Sequence, residues 1–216
     1  MMASSYPGLT PLDEATLHHG LDELARCDPD LAGLLQRWGP PPLWARPPGF
    51  GTLIHIILEQ QVSLASARAT YDRLQAAAHP LTPARLLELD DATLRAVGFS
   101  RQKSVYSRHL AEALLAGTLD LAALAGLDDD AVRAQLQTVK GIGPWTAEIY
   151  LLMALGRADA WPAGDLGLVV AVQEVKRLAQ RPDAATLNAL AEGWRPWRAV
   201  AARLLWHHYL SKPAAR

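Results

Sequence analysis

The 216-residue chain has a single cysteine, Cys27, and only 6% aromatic residues. One thiol excludes an internal disulfide, a four-cysteine zinc site and a cysteine-ligated iron–sulfur cluster, so no redox centre is expected. Long apolar runs are missing as well. No window of about 18 apolar residues occurs, and the N-terminus lacks a basic stretch followed by an apolar one, so neither a membrane span nor a secretion signal is expected and the expected location is the cytoplasm. An excess of either charge is also absent: 21 Lys+Arg against 22 Asp+Glu leave a formal net charge of -1. That balance differs from the broadly basic composition of many nucleic-acid binders. The average conceals two unlike halves. Residues 1–94 carry 6 basic and 11 acidic side chains (net -5), and residues 95–216 carry 15 and 11 (net +4). Arg101, Lys103, Arg108, Lys140, Arg195, Arg198 and Arg203 lie in the positive half, the one expected to face an anion.

What is plentiful is apolar surface, at 50% of residues, enough for one sizeable core or two small subdomains around a cleft. Apolar positions return every three or four residues without sustained alternation, which predicts an all-α protein. The expected helices span 13–26, 29–38, 50–60, 63–77, 83–89, 91–97, 101–116, 120–125, 129–137, 144–155, 166–180, 184–193 and 196–210. The run Gly39-Pro40-Pro41-Pro42-Leu43-Trp44-Ala45-Arg46-Pro47-Pro48-Gly49 cannot be helical, because each proline removes a donor and restricts its predecessor. It reads as a stiff connector. Further breaks fall at 140–144 and 158–165.

Within Leu136-Gln137-Thr138-Val139-Lys140-Gly141-Ile142-Gly143-Pro144-Trp145-Thr146-Ala147 a helix ends, two glycines flank one apolar residue, and a proline opens the next helix at its favoured first position. Glycine permits positive φ and close approach of another molecule, while the following helix presents N–H groups and its positive dipole end. A phosphate would sit on the N–H groups of Gly141, Gly143 and Trp145, aided by Lys140, with Ile142 anchoring the turn in the core. An ordinary helix-to-helix turn with a glycine C-cap fits the spacing equally well.

Four more segments narrow the choice. Val139-Lys140-Gly141-Ile142-Gly143-Pro144-Trp145-Thr146-Ala147 resembles the helix-hairpin-helix of the DNA glycosylase superfamily that pairs this hairpin with a Gly/Pro-rich loop and a catalytic aspartate. Ile57-Leu58-Glu59-Gln60-Gln61-Val62-Ser63 resembles that family's DNA-wedge loop, Gly98-Phe99-Ser100-Arg101-Gln102-Lys103 its middle segment, and Trp161-Pro162-Ala163-Gly164-Asp165 its catalytic loop. Trp194-Arg195-Pro196-Trp197-Arg198 is similar to a C-terminal motif of the alkylbase (3-methyladenine) glycosylase II branch. The resemblance covers residues from about 50 to 210; it departs from the larger enzymes of that branch in the β-rich N-terminal domain that they also carry, and from relatives that often have leucine where this chain has Gln61.

By that resemblance the fold is all-α, with two helical subdomains flanking a DNA-binding cleft. Residues 1–47 form N-terminal helices and a connector packing with the C-terminal helices, 48–157 a central subdomain with the hairpin, and 158–216 the catalytic loop and last helices. The partner is double-stranded DNA containing alkylated bases, the protein a monomer without a membrane role, associated with the nucleoid if bacterial. No organic cofactor and no iron–sulfur cluster is implied, and the backbone carbonyls of Gln137, Val139 and Ile142 would hold a structural Na+ or K+ at the hairpin.

Asp165 precedes the apolar run Leu166-Gly167-Leu168-Val169-Val170-Ala171-Val172, so its residue type and position make it a helix N-cap. The resemblance makes it also the catalytic carboxylate. Cleaving an N-glycosidic bond builds positive oxocarbenium character on the sugar, which a nearby carboxylate stabilises. Members of the superfamily that also cut the strand carry a lysine where this chain has Trp145, so a Schiff base at that position is excluded and a monofunctional enzyme is implied. Trp145, Trp197 and Ile149 would line the base pocket, where an indole face attracts a cationic base by about 0.5–2 kcal/mol. Gln60 and Gln61 would be the DNA wedge that fills the gap left by a flipped nucleotide. Arg101, Lys103 and Lys140 would contact phosphate.

Other features need no chemistry. His18-His19 and His207-His208 point about 100° apart on a helix, too divergent for a shared metal, and solvated surface is expected for His207-His208. Asp128-Asp129-Asp130 suits a helix N-terminus. Glu59 and Glu148 adjoin motifs without an assigned role. Two other classes stay open: a noncatalytic helix-hairpin-helix DNA-binding protein, and a glycosylase for oxidised or mismatched bases.

Overall fold

The computed structural model describes residues 10–212, and the first nine residues of the predicted N-terminal segment 1–47 lie outside that range. In chain order the helices are α1 (Glu14–Cys27), α2 (Pro29–Trp38), α3 (Phe50–Glu59), α4 (Leu64–Ala77), α5 (Pro83–Glu88), α6 (Asp91–Ala96), α7 (Arg101–Leu115), α8 (Asp129–Gln137), α9 (Pro144–Met153), α10 (Leu166–Val175), α11 (Ala184–Glu192) and α12 (Arg198–Ser211), with a 3-10 turn at Ala123–Gly126. The fold is all-α, as expected. Short helices persist because their first amides are met. Asp13, Asp28, Ser63, Thr82, Asp90, Ser100, Asp128, Asp165 and Asp183 each accept a first-turn N–H, a contribution of about 1 kcal/mol per cap.

The described residues form two compact units, one of residues up to Ala45 and from Leu151 on, the other Arg46–Tyr150. In the second, α3 is the central helix, with Leu53, Ile54, Ile56, Ile57 and Leu58 almost fully buried, and it packs on α4 and α7. In the first, α12 has that place: Ala199 through Trp206 are buried without interruption, so the helix is enclosed on every side by neighbours that include α1, α2 and α10. No described helix is long and apolar enough to cross a membrane.

Three predicted helices come out differently. The 120–125 helix shrinks to the 3-10 turn Ala123–Gly126, because the Asp120 carboxylate captures the N–H groups of Ala122 and Ala123. The 166–180 helix stops at Val175, where Arg177 takes a left-handed φ of 52° and the Leu178 N–H closes back on the Gln173 carbonyl. That is a Schellman closure with arginine where glycine is usual. The last helix starts at Arg198 rather than 196, since the Trp197 N–H is taken by the Trp194 carbonyl in a preceding turn.

Two polar networks tie the N-terminal helices to the C-terminal ones within the first unit. Asp28 caps α2, and its carboxylate accepts from Lys176 Nζ at 2.7 Å and Trp194 Nε1 at 2.7 Å, while Lys176 also reaches Asp30 at 2.9 Å. Arg203, expected on the anion-facing surface, is instead 1% exposed and donates to the carbonyls of Leu43, Ala199 and Leu152. Burial lowers its pKa to about 10, so it stays charged at neutral pH while serving carbonyls instead of phosphate. His208, expected in solvent, is buried: its Nδ1 accepts from Trp38 Nε1 at 3.1 Å, which puts its proton on Nε2, 3.1 Å from Glu174 Oε2.

The Asp28 network predicts acid sensitivity. Burial alone would raise the Asp28 carboxyl, but the hydrogen bonds from Lys176 and Trp194 outweigh it and hold the group below its ordinary 3.8. A lowered carboxyl stabilises the fold above the unfolded-state value, and that stability is lost as pH falls through the native value, so this contribution should disappear below about pH 4. Urea unfolding should find Asp28→Ala weaker by about 3 kcal/mol at neutral pH, with a shallower acid limb, because α2 loses its cap, the buried Trp194 N–H loses its acceptor and Lys176 keeps only Asp30.

Candidate functional site

The hairpin begins at Thr138, the C-cap of α8, and turns through Gly141, whose φ is 98°. Its two glycines do different work. A Cβ on Gly141 would stand 2.1 Å from a Tyr106 ring carbon, whereas one on Gly143 would meet nothing within 4 Å. Gly141 therefore lets the turn lie on α7, and Gly143 leaves the start of α9 bare. Ile142 is buried at 3% exposure, the anchor its position suggested, and Lys140 is exposed. The Val139 carbonyl accepts the Ile142 N–H at 3.0 Å. Trp145, half-buried, and Ile149, buried, lie one turn apart on the same side of α9.

The wedge segment is a type II turn. Gln60 has φ -57° and ψ 120°, Gln61 has φ 58°, and the Val62 N–H approaches the Glu59 carbonyl at 3.5 Å. A left-handed glutamine at an exposed turn tip is strained backbone of the kind that clusters at functional sites. Its neighbour is not exposed in the same way: the Gln60 amide donates to the Gly141 carbonyl at 3.0 Å and to Thr146 Oγ1 at 2.9 Å. Glu59, left without a role above, is buried and takes a two-pronged contact from Arg46 at 2.7 and 3.0 Å. Glu148 likewise pairs with Arg133.

Asp165 caps α10 as expected, accepting the Leu168 N–H at 3.0 Å, and the same oxygen accepts Trp206 Nε1 at 2.9 Å. The loop before it is fixed by the Asp165 N–H on the Pro162 carbonyl and by buried Trp161, which meets Trp194 edge-on at 5.5 Å. Gly167 matters here: a Cβ would press within 3.1 Å of Asp165 Oδ1 and 3.4 Å of both Trp206 and Tyr209. A glycine in the first turn of a helix is a sequence signal of close approach. Trp206, 41 residues from Asp165, gives no such signal in the sequence.

The basic residues divide sharply. Lys103, expected on phosphate, donates to the Leu58 carbonyl at 2.6 Å, and burial pushes its pKa down. Arg108 is engaged by the Leu89 carbonyl and Asp91, Arg198 grips Asp159 with two bonds of 2.8 Å, and Arg195 pairs with Asp159 and Glu192. Arg101 and Lys140 are exposed. Arg101 opens α7, where the helix dipole favours an anion, so stability does not reward it. Trp197 sets its ring against α1, edge-on to His19 at 5.5 Å and so close to Gly20 that a Cβ there would lie 2.8 Å away. Among the described residues no group of three or more His, Cys, Asp or Glu side chains is placed to hold a metal ion.

Residues 54–196 match the HhH-GPD superfamily base excision DNA repair protein family. The chain is 31% identical over 198 residues to DNA-3-methyladenine glycosylase 2 of Escherichia coli, covering 84% of this chain and 67% of that protein. It is 35% identical over 168 residues to a bifunctional transcriptional activator/DNA repair enzyme of Mycobacterium tuberculosis, an overlap of 71% of this chain but only 32% of that longer protein. Its structure is similar, with a TM-score of 0.81 and 25% identity, to the 3-methyladenine DNA glycosylase of Schizosaccharomyces pombe solved in complex with abasic DNA, over 92% of this chain and 100% of that one.

Gly141→Ala should cost roughly 2–3 kcal/mol, from overpacking against Tyr106 and from a side chain at positive φ. Thermal unfolding of Gly141→Ala, Tyr106→Ala and the double variant separates the two: removing the ring should restore only the steric part.

Proposed function

The chain belongs to the HhH-GPD superfamily of base excision DNA repair proteins, and from that premise we propose that it is a monofunctional DNA glycosylase excising alkylated, 3-methyladenine-type bases from double-stranded DNA. The observation that carries the proposal is the Asp165 carboxylate held by an amide and an indole N–H on one oxygen. A carboxylate so oriented cannot swing away as the sugar becomes cationic, so its charge is preorganised for the oxocarbenium-like transition state, where such placement is worth most. It would also orient the water that completes hydrolysis to an abasic site. Trp206 is a positioning residue in this scheme, and Gly167 keeps the carboxylate's surroundings open.

Recognition follows from the other parts. Phosphate would rest on the amides of Gly141, Gly143 and Trp145, with Lys140 and Arg101 adding charge. The indole of Trp145 and the side chain of Ile149 would form the base wall, and Trp197 would contribute a further indole to the base pocket. Many alkylated bases carry positive charge, so an indole face favours them and the charged base leaves readily. The three neutral carbonyls of Gln137, Val139 and Ile142 are hard oxygen donors suited to Na+ or K+, and the second lone pair of Val139 remains for such an ion; its role would be to bridge hairpin and phosphate. In this reading 1–47 brace the C-terminal helices, 48–157 hold DNA and 158–216 carry the carboxylate, and the protein acts as a monomer in the cytoplasm.

The test incubates the protein with duplexes carrying single defined lesions, then cuts abasic sites with alkali. Release is expected from alkylated purines. Asp165→Asn should lose at least about a hundredfold in rate while still binding DNA, and Trp206→Phe should lose about tenfold. Borohydride should trap no covalent adduct, because Trp145 has no amine. An adduct would sink the monofunctional assignment, and no release from any lesion would leave a noncatalytic DNA-binding protein.

A further inference from the structure

The turn that carries Gln61 is held from three directions at three successive residues. The Leu58 carbonyl accepts Lys103 Nζ from α7, the Glu59 carboxylate takes Arg46 from the connector, and the Gln60 amide reaches the hairpin at Gly141 and Thr146. The first two contacts fix the end of α3 to its own surroundings. The third joins two elements that the proposed function sends to the DNA.

We propose that Gln60 is a positioning residue whose amide locks wedge turn and phosphate-binding hairpin into one rigid DNA-reading edge, so that Gln61 enters the duplex at a set distance from the anchored phosphate. The proposal rests on the glycosylase reading. Its chemistry is that of a carboxamide NH2, which has two protons to give. One goes to a backbone carbonyl and one to a hydroxyl, so both the plane of the amide and the register between residues 60 and 141 are determined. An apolar side chain of equal length would fill the same space without determining either. The hairpin is also packed at this residue, because the Tyr106 ring lies where a Cβ on Gly141 would stand. Gln61 in turn keeps its left-handed φ of 58° only while the residues on both sides are held.

The test uses the full chain, a duplex with a stable abasic analogue beside 2-aminopurine, and duplexes with one alkylated base either paired or in a single-nucleotide bulge, where it is already extruded. Wild type should raise 2-aminopurine fluorescence as the wedge unstacks its neighbour, and Gln60→Met should raise it less. In single-turnover release, Gln60→Met should lose about tenfold more on the paired than on the bulged lesion, the net scale of the two hydrogen bonds it removes. Thr146→Val keeps the volume and removes one acceptor, so its loss should be smaller in both assays and should add little to Gln60→Met in the double variant. Equal losses on paired and bulged substrates, or an undiminished fluorescence rise in both variants, overturns the coupling. If Gln60→Met does not fold, Thr146→Val decides by the same two readouts. If wild type releases no base, the glycosylase reading fails, while fluorescence on the abasic duplex still decides whether Gln60 sets the wedge.

Discussion

Every α-helix begins with amide N–H groups that have no partner inside the helix, and the way each start is met organises this protein. Nine of the described helices hand those amides to an Asp, Ser or Thr of their own chain. α9 is preceded by Gly143, which has no side chain to offer and faces open space. α10 is preceded by Asp165, whose cap also brings in an indole N–H. The same electrostatic demand thus gives side-chain caps at most helices, a glycine in place of a capping side chain before α9 and an oriented carboxylate before α10.

Signals confined to a few residues were legible in the sequence. The helical period, the proline connector, the Gly-Ile-Gly turn, the buried Ile142 and the cap at Asp165 all depend on neighbours within one turn, and all appear in the structure. The contacts that complete the candidate sites join residues far apart in the chain. Trp206 and Asp165 are 41 residues apart, Gln60 and Gly141 81, and Lys176 and Asp28 148. No local pattern marks such a partner: nothing beside Trp206 points to Asp165, and nothing in the wedge segment around Gln60 points to the hairpin carbonyl of Gly141. Helix ends failed for a related reason: Arg177 stands in a left-handed position that composition assigns to glycine.

Charge was the least legible property. A surplus of basic residues in the second half suggested a cationic face, yet most of those side chains are committed to carbonyls or acids. A guanidinium donates five N–H groups in a fixed fork, and Arg203 spends them on joining three backbone segments. Counting charges along a chain says where fields can arise; only the partners say which survive at the surface.

The placement of α12 has a consequence for the order in which the protein is made. Arg46–Tyr150 is continuous in sequence, so it can complete its core while the rest is still being synthesised. The other unit is not continuous: α1 and α2, which precede the central unit in chain order, pack on a helix that begins at Arg198. Until α12 is made they have only each other to pack on, and the contacts that complete this unit are of high sequence separation, the kind that slows folding. The amphipathic N-terminal helices must stay soluble on their own until α12 arrives.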